Sequence, residues 1–300
     1  MDGNLQALNA LLAVFSFVLG SLIGSFLNVC VYRLPRGLSV VKPRSKCPKC
    51  DNPIAWYDNI PVVSWLVLGA KCRQCGQPIS WQYPLVEAIT GVLFLLVFWR
   101  FGLVIATPIY MLLSAALVLV TFVDLTDWTI PDEVTLPGIP VGIATSVLFM
   151  LYPKSGLAVM GPFELPVFNS LLGAVVGGGV LYALDKGALL LLKKPGMGFG
   201  DVKLNAMLGA FFGLYGAILI IVIAAFIGSF VGILMILAGK RQPAPGGPSD
   251  EAGEEPADPP APGHYLPFGP YLALAGIIVM LAGPAIIDYY FNTLLAPPSL

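Results

Sequence analysis

Charge is scarce in this chain. Asp, Glu, Lys and Arg make up 11% of its 300 residues, against about a quarter in an average soluble domain. So few charges cannot coat a globule of this size, which disfavours a soluble protein, a disordered chain and a nucleic-acid binder together. The net charge of −1 carries no message about partners; only its distribution does. Histidine is scarcer still, with His264 the sole example. A Ser-His-Asp triad then has no base and an H-E-x-x-H zinc site no ligand set. No Walker loop is present, which removes the simplest ATP-driven transporter. The first apolar run has Asp2 and no basic residue before it, and no small-residue cleavage site after it. It reads as a retained helix rather than a cleavable signal.

What the chain has in excess is apolar surface. Hydrophobic residues reach 57% and the mean hydropathy is +0.84. Seven or eight stretches meet or approach the roughly 20 residues needed to cross a bilayer. They fall near 6–32, 84–101, 103–124, 134–152, 168–190, 204–214, 216–238 and 268–291. The 204–214 stretch is too short for a regular span. It joins its successor through Gly213-Leu-Tyr-Gly216, which predicts a short helix, a break and a full span. The expected fold is an all-α polytopic membrane bundle of about eight spans. Eight basic residues between Arg33 and Tyr83, together with Lys193, Lys194, Lys203, Lys240 and Arg241, fall on one side, leaving only Arg100, Lys154 and Lys186 elsewhere. Positive loops stay inside, so 33–83, 125–133, 193–203 and 239–267 are expected in the cytoplasm. The stretch 242–263, rich in proline and acid, reads as an extended tether. No internal repeat is apparent.

Four of the five cysteines form Cys47-Pro-Lys-Cys50 and Cys72-Arg-Gln-Cys75. Paired C-x2-C knuckles at this spacing let four thiolates close a tetrahedron around zinc, with no water left on the metal. Lys46, Lys49, Lys71 and Arg73 would offset its negative charge. Such a closed site is structural, stapling a loop that lacks a core large enough to fold alone. The competing reading is two redox pairs or four unrelated thiols. Cys30 reads as a small packing residue.

Two carboxylates stand out. Asp124 closes the third span, and Asp201 ends Gly198-Phe-Gly-Asp201 just before the sixth segment. An acid at a membrane edge is costly unless water, a partner or a task keeps it there. The chain leaves Asp124, crosses out, returns and reaches Asp201, so the two can meet at one depth. Two carboxylates sharing one proton can activate water for amide hydrolysis. Gly198 and Gly200 would leave Asp201 unshielded, permit positive φ, and let a substrate strand approach. Asp201 would also gain from the adjacent helix N-terminus. The competing reading is separate caps or interfacial acids. Asp127 in a polar turn, and Asp132 capping the next helix beside Glu133, fit that reading.

Beyond these residues the chain resembles the bacterial type IV prepilin peptidases, membrane aspartic leader peptidases of the GxGD class. The resemblance rests on Gly20–Pro35 (GSLIGSFLNVCVYRLP), the two knuckles, Trp56–Trp65 (WYDNIPVVSW) and Tyr83–Glu87 (YPLVE). Asp124 with Ile130-Pro-Asp132, Gly198–Lys203 (GFGDVK) and Leu266–Pro270 (LPFGP) complete it. It implies cleavage of the basic leader of type IV prepilins and type II secretion pseudopilins at the cytoplasmic face of the bacterial inner membrane. Asp124 and Asp201 would be the catalytic acids. It also implies methylation of the new N-terminus with S-adenosylmethionine, associated with the N-terminal loop region; no residues are assigned to the methyl donor. Asp127, Asp132 and Glu133 would offer basic leaders an acidic mouth. The expected organisation is 1–102 with the zinc loop, 103–240 as the peptidase core, 241–265 as linker and 266–300 as the last span. No nucleic-acid partner is expected, and the oligomeric state is not legible. Two rivals stay open: a membrane aspartic protease for another substrate, and a non-enzymatic scaffold or transporter with a stapled loop.

Overall fold

A computed structural model describes residues 2–152, 154–161, 163–192, 197–238 and 266–290. Among them regular structure is helical, apart from two isolated bridges, Lys46 with Pro53 and Lys71 with Pro78. Helix α1 (Asp2–Arg33) leads into the cysteine loop, which holds the short α2 (Val63–Val67). Then follow α3 (Gln82–Phe101), α4 (Ala106–Asp127), α5 (Asp132–Leu151), α6 (Pro166–Leu192), α7 (Phe199–Leu237) and α8 (Gly269–Tyr289). All but α2 are long and apolar enough to cross a membrane. The protein is thus a multi-pass helical membrane protein. The 242–263 tether and His264 lie outside the described residues.

The eight expected spans are seven helices here, because 204–214 and 216–238 are two legs of α7. A straight helix of its 39 residues would run about 58 Å, roughly twice the hydrocarbon core. It breaks at Gly213 (φ +76°, ψ −173°), a conformation open to glycine. The carbonyl of Phe212 accepts the N–H of Met160 (2.8 Å), and the carbonyl of Met160 accepts that of Tyr215 (3.1 Å). The α5–α6 loop thereby satisfies backbone groups that the break frees, as a non-aqueous setting requires. The two legs run oppositely. Phe199 meets Tyr182 near the end of α6, Gly213 lies at the α5–α6 loop, and Gly228 is back beside Phe268 and Tyr271 at the start of α8.

Helix α4 is the axis of the bundle: most of its residues are buried, and it packs on α1, α3 and α8. Helix α7 packs on α5, α6 and α8. Glycines set the closest approaches. A Cβ on Gly24 of α1 would lie 2.7 Å from the Cα of Glu87, and one on Gly20 would lie 2.7 Å from the carbonyl of Thr90. Small residues that let backbones approach are the usual adhesive between membrane helices. The side chains left outside, such as Phe226, Val175 and Leu11, are large and apolar, suited to lipid.

Candidate active site

Asp124 lies in the last turn of α4 and Asp201 in the first turn of α7; each is only 6% exposed. Ile130 lies against both Gly200, next to Asp201, and Gly269, next to Asp124, so the path of the chain brings the two acids to one place. Asp124 Oδ2 accepts the backbone N–H of Gly269 (3.0 Å). Helix α8 therefore completes the site, 145 residues downstream of the acid it holds. A Cβ on Gly269 would lie 2.5 Å from Asp124 Oδ2 and 3.1 Å from Ile130 Cδ1. A Cβ on Gly200 would lie 2.8 Å from Ile130 Cβ. Ile130 is thus wedged between the residue before Asp201 and the residue that holds Asp124.

The glycines beside Asp201 do not use positive φ. Gly198 is the extended N-cap of α7 (φ −74°, ψ 143°), and its carbonyl accepts the Asp201 N–H (3.1 Å). Its missing Cβ would sit 3.5 Å from Asp201 Oδ2, so this glycine does leave the carboxyl uncovered. Gly200 is helical, and its missing side chain makes room for Ile130, not for a substrate strand. Helix-terminal position aside, Asp201 Oδ1 has no hydrogen-bond partner.

Two of the three acids read as a mouth for basic leaders are already engaged. Asp127, the last residue of α4, pairs with Arg36 beyond α1 (3.2 Å). Asp132 does not cap α5: Pro131 occupies the N-cap with no side-chain cap bond, and Asp132 pairs with Lys203. Lys203 lies two residues beyond Asp201, so this pair ties the acid-bearing turn of α7 to the start of α5. Trp128, in the left-handed conformation (φ 56°), ends α4 by donating its N–H to the Asp124 carbonyl (3.1 Å).

The four knuckle cysteines converge. Their sulfur atoms all lie within 4.8 Å of one another, with Cys47 and Cys75 3.8 Å apart. Zinc–sulfur bonds of about 2.3 Å give a tetrahedral edge of about 3.8 Å, so the donor set fits that ion. The knuckles are copies of each other, and this repeat was missed in the sequence. Residues 45–54 (SKCPKCDNPI) align with 70–79 (AKCRQCGQPI). Cys47 N–H bonds the Asn52 carbonyl as Cys72 N–H bonds that of Gln77, and Asp51 N–H bonds Cys47 as Gly76 N–H bonds Cys72. Backbone N–H groups of Lys49 and Cys50 lower the Cys47 thiol to about 7. At Cys50 the Asn52 N–H favours the thiolate, but burial and the neighbouring thiols push it up to about 12. Lys46 and Arg73 spend their charge on Asp51 and Asp58. Cys30 is packed inside α1.

Between the knuckles and the membrane helices, two of the sequence motifs meet. Glu87 of α3 accepts the N–H of Val62 (2.7 Å), whose φ of 61° is unusual for a β-branched residue. Trp65 Nε1 donates to the Ile79 carbonyl (3.2 Å), and Arg73 forks onto Asp58. The Trp56–Trp65 segment is therefore pinned to the second knuckle on one side and to α3 on the other.

A polytopic helical membrane protein with two buried aspartates at one end and a four-thiol loop beside them is the class that fold and site define. Residues 18–101 match the family model of the bacterial peptidase A24 N-terminal domain, and 111–233 match that of the type IV leader peptidase family. Proteins named prepilin leader peptidase/N-methyltransferase are similar along nearly the whole chain. The one from Myxococcus xanthus is 37% identical over 91% of this chain and 91% of its own. That from Neisseria gonorrhoeae is 34% identical over 94% and 95%, and that from Aeromonas salmonicida 33% over 93% and 94%. No solved structure matches the chain. The chain belongs to the type IV leader peptidase family.

Proposed function

We propose that the protein removes the basic leader of type IV prepilins and pseudopilins and then methylates the newly exposed amine. The observation that supports this reading is that two buried aspartates, Asp124 and Asp201, stand at the ends of α4 and α7 that meet around Ile130. In hydrolysis one carboxylate takes a proton from water as the water oxygen bonds to the scissile carbonyl carbon. The other acid gives its proton to the carbonyl oxygen. Collapse of the gem-diol then breaks the C–N bond; the amine leaves with the first proton, and the second acid regains its own. Gly269 holds the Asp124 carboxylate, and the glycine at 198 places no side chain over the Asp201 carboxyl.

Arg33 ends α1 and Arg36, Lys42, Arg44, Lys46 and Lys49 follow it, with Arg36 paired to Asp127 at the end of α4 that carries Asp124, which favours a site on the cytoplasmic face of the inner membrane. A pilin precursor, with a charged leader before an apolar helix, presents its scissile bond at that depth. Cys47, Cys50, Cys72 and Cys75 would hold a structural zinc ion that fixes the loop. S-adenosylmethionine would supply the methyl group, its site belonging to region 1–102 beside the peptidase core at 103–240.

Mass spectrometry of a co-expressed prepilin tests both activities at once. Loss of the leader and a mass gain of one methyl group on the new N-terminus are expected. Asp124→Asn and Asp201→Asn should each fold and abolish cleavage; near-normal turnover in either removes that acid from the chemistry.

A further inference from the structure

Among the described residues only three buried side-chain oxygens or nitrogens lack a hydrogen-bond partner: Ser21 Oγ, Asp201 Oδ1 and Asn205 Oδ1. The last two stand one helical turn apart on the same face of α7, where i and i+4 side chains meet. Helical side chains lean toward the N-terminus, so Asn205 reaches back toward Asp201. Its orientation is set. Nδ2 donates to the Gly177 carbonyl of α6 (2.9 Å), which leaves Oδ1 as the free atom, and the residue is fully buried. Two buried acceptors one turn apart on the same helix, neither receiving a hydrogen, are costly. A single proton on Asp201 Oδ1 satisfies both.

The two acids are also held differently. Asp124 Oδ2 receives an N–H from Gly269, a bond that serves a carboxylate. Asp201 turns Oδ2 toward the open side at Gly198 and Oδ1 into the interior. Other charged groups around this turn are engaged elsewhere: Asp132 of α5 with Lys203, and Asp185 of α6 with the Met197 N–H. Tyr271 of α8 lines a cavity beyond Asp124 with Leu125 and Trp128.

We propose that Asn205 is a positioning residue that keeps the proton of the pair on Asp201, accepting its hydrogen bond at Oδ1 and leaving Asp124 as the charged partner. This rests on the peptidase reading and assigns its roles. Asp124 is the base that takes the proton from water, and Asp201 is the acid. In the resting site the proton points inward to Asn205. Rotation of the carboxyl about χ2, a broad torsion for aspartate, turns the same O–H to the arriving carbonyl.

The test is infrared spectroscopy of the full chain in membranes, read at the stretch of protonated carboxyl groups, with cleavage kinetics alongside. The band should persist in Asp124→Asn and vanish in Asp201→Asn. In Asn205→Leu it should move to higher wavenumber, because its hydrogen bond is gone. There kcat should fall about five- to tenfold with KM within about twofold of wild type. A band that follows Asp124 overturns the proton placement even when both acid variants are inactive. An unmoved band with unchanged kcat in Asn205→Leu overturns the role of Asn205. If that variant does not fold, the two acid variants still decide where the proton sits. Cleavage that survives Asp201→Asn instead sinks the peptidase reading.

Discussion

Replacing Gly269 with alanine is the sharpest perturbation of the site that leaves every polar group in place. The added methyl would sit 2.5 Å from Asp124 Oδ2 and 3.2 Å from its Cγ, whereas carbon and oxygen ordinarily approach to about 3.3–3.6 Å. Either the carboxyl or the start of α8 must yield by roughly 1 Å. Ile130 blocks one direction of retreat at 3.1 Å. The N–H that holds Asp124 belongs to the displaced residue, so the hydrogen bond is strained together with the contact. A shift of this size in a catalytic group costs about 100-fold in rate, and overpacking costs about 1–3 kcal/mol of stability. Gly228→Ala is the control. Its Cβ would meet Tyr271 and Phe268 at 3.4–3.7 Å, ordinary contact. Prepilin cleavage should therefore fall about 100-fold in kcat for Gly269→Ala and hardly change for Gly228→Ala. Equal activity in the two variants, at equal folded protein, would show that α8 does not hold Asp124.

Further outcomes concern the cysteine loop. Cys72→Ser should lower the metal content of the purified protein and expose residues 46–79 to protease; a metal-free wild type with a protected loop would refute the staple. Asp51 holds a left-handed turn (φ 57°) where the second knuckle has Gly76 (φ 67°). Asp51→Gly should then stabilise the loop, and Gly76→Ala destabilise it, each by about 1 kcal/mol in thermal or denaturant melts. Hydrogen bonds from Arg73 hold the Asp58 carboxyl below its usual range. A depressed value contributes stability above the unfolded carboxylate pKa of about 3.9, lost as pH falls through the folded value. The hydrogen-exchange protection of 56–65, relative to the free-peptide rate at each pH, should therefore fall on acidification below about pH 4, and Arg73→Gln should remove that dependence.

What the sequence could show was local or topological. Asp124 and Asp201 were placed at one end by counting crossings, the thiols by their spacing, and the break in α7 by Gly213 and Gly216. What it could not show depends on distant backbone. Nothing in LPFGP says that the Gly269 N–H lands on Asp124, and nothing in YPLVE says that Glu87 waits for Val62. Asp127 reads as a turn residue and Asp132 as a cap because their partners, Arg36 and Lys203, come from distant parts of the chain. Gly200 looked like backbone freedom because Ile130, its actual neighbour, is 70 positions away. The paired knuckles are legible in the sequence as KC-x2-C-x2-PI, a repeat that extends beyond the cysteine spacing to the residues around it. Asn205 carries no motif, and the role proposed for it depends on its amide being anchored to α6.

The donor that holds Asp124 arrives last. Synthesis runs from the N-terminus, so both acids are made and inserted well before residue 269 leaves the ribosome. Until then a nascent enzyme has its acids but not the clamp on one of them. On the peptidase reading, chains that stop before residue 269 would carry both acids without the clamp and would not cleave a prepilin.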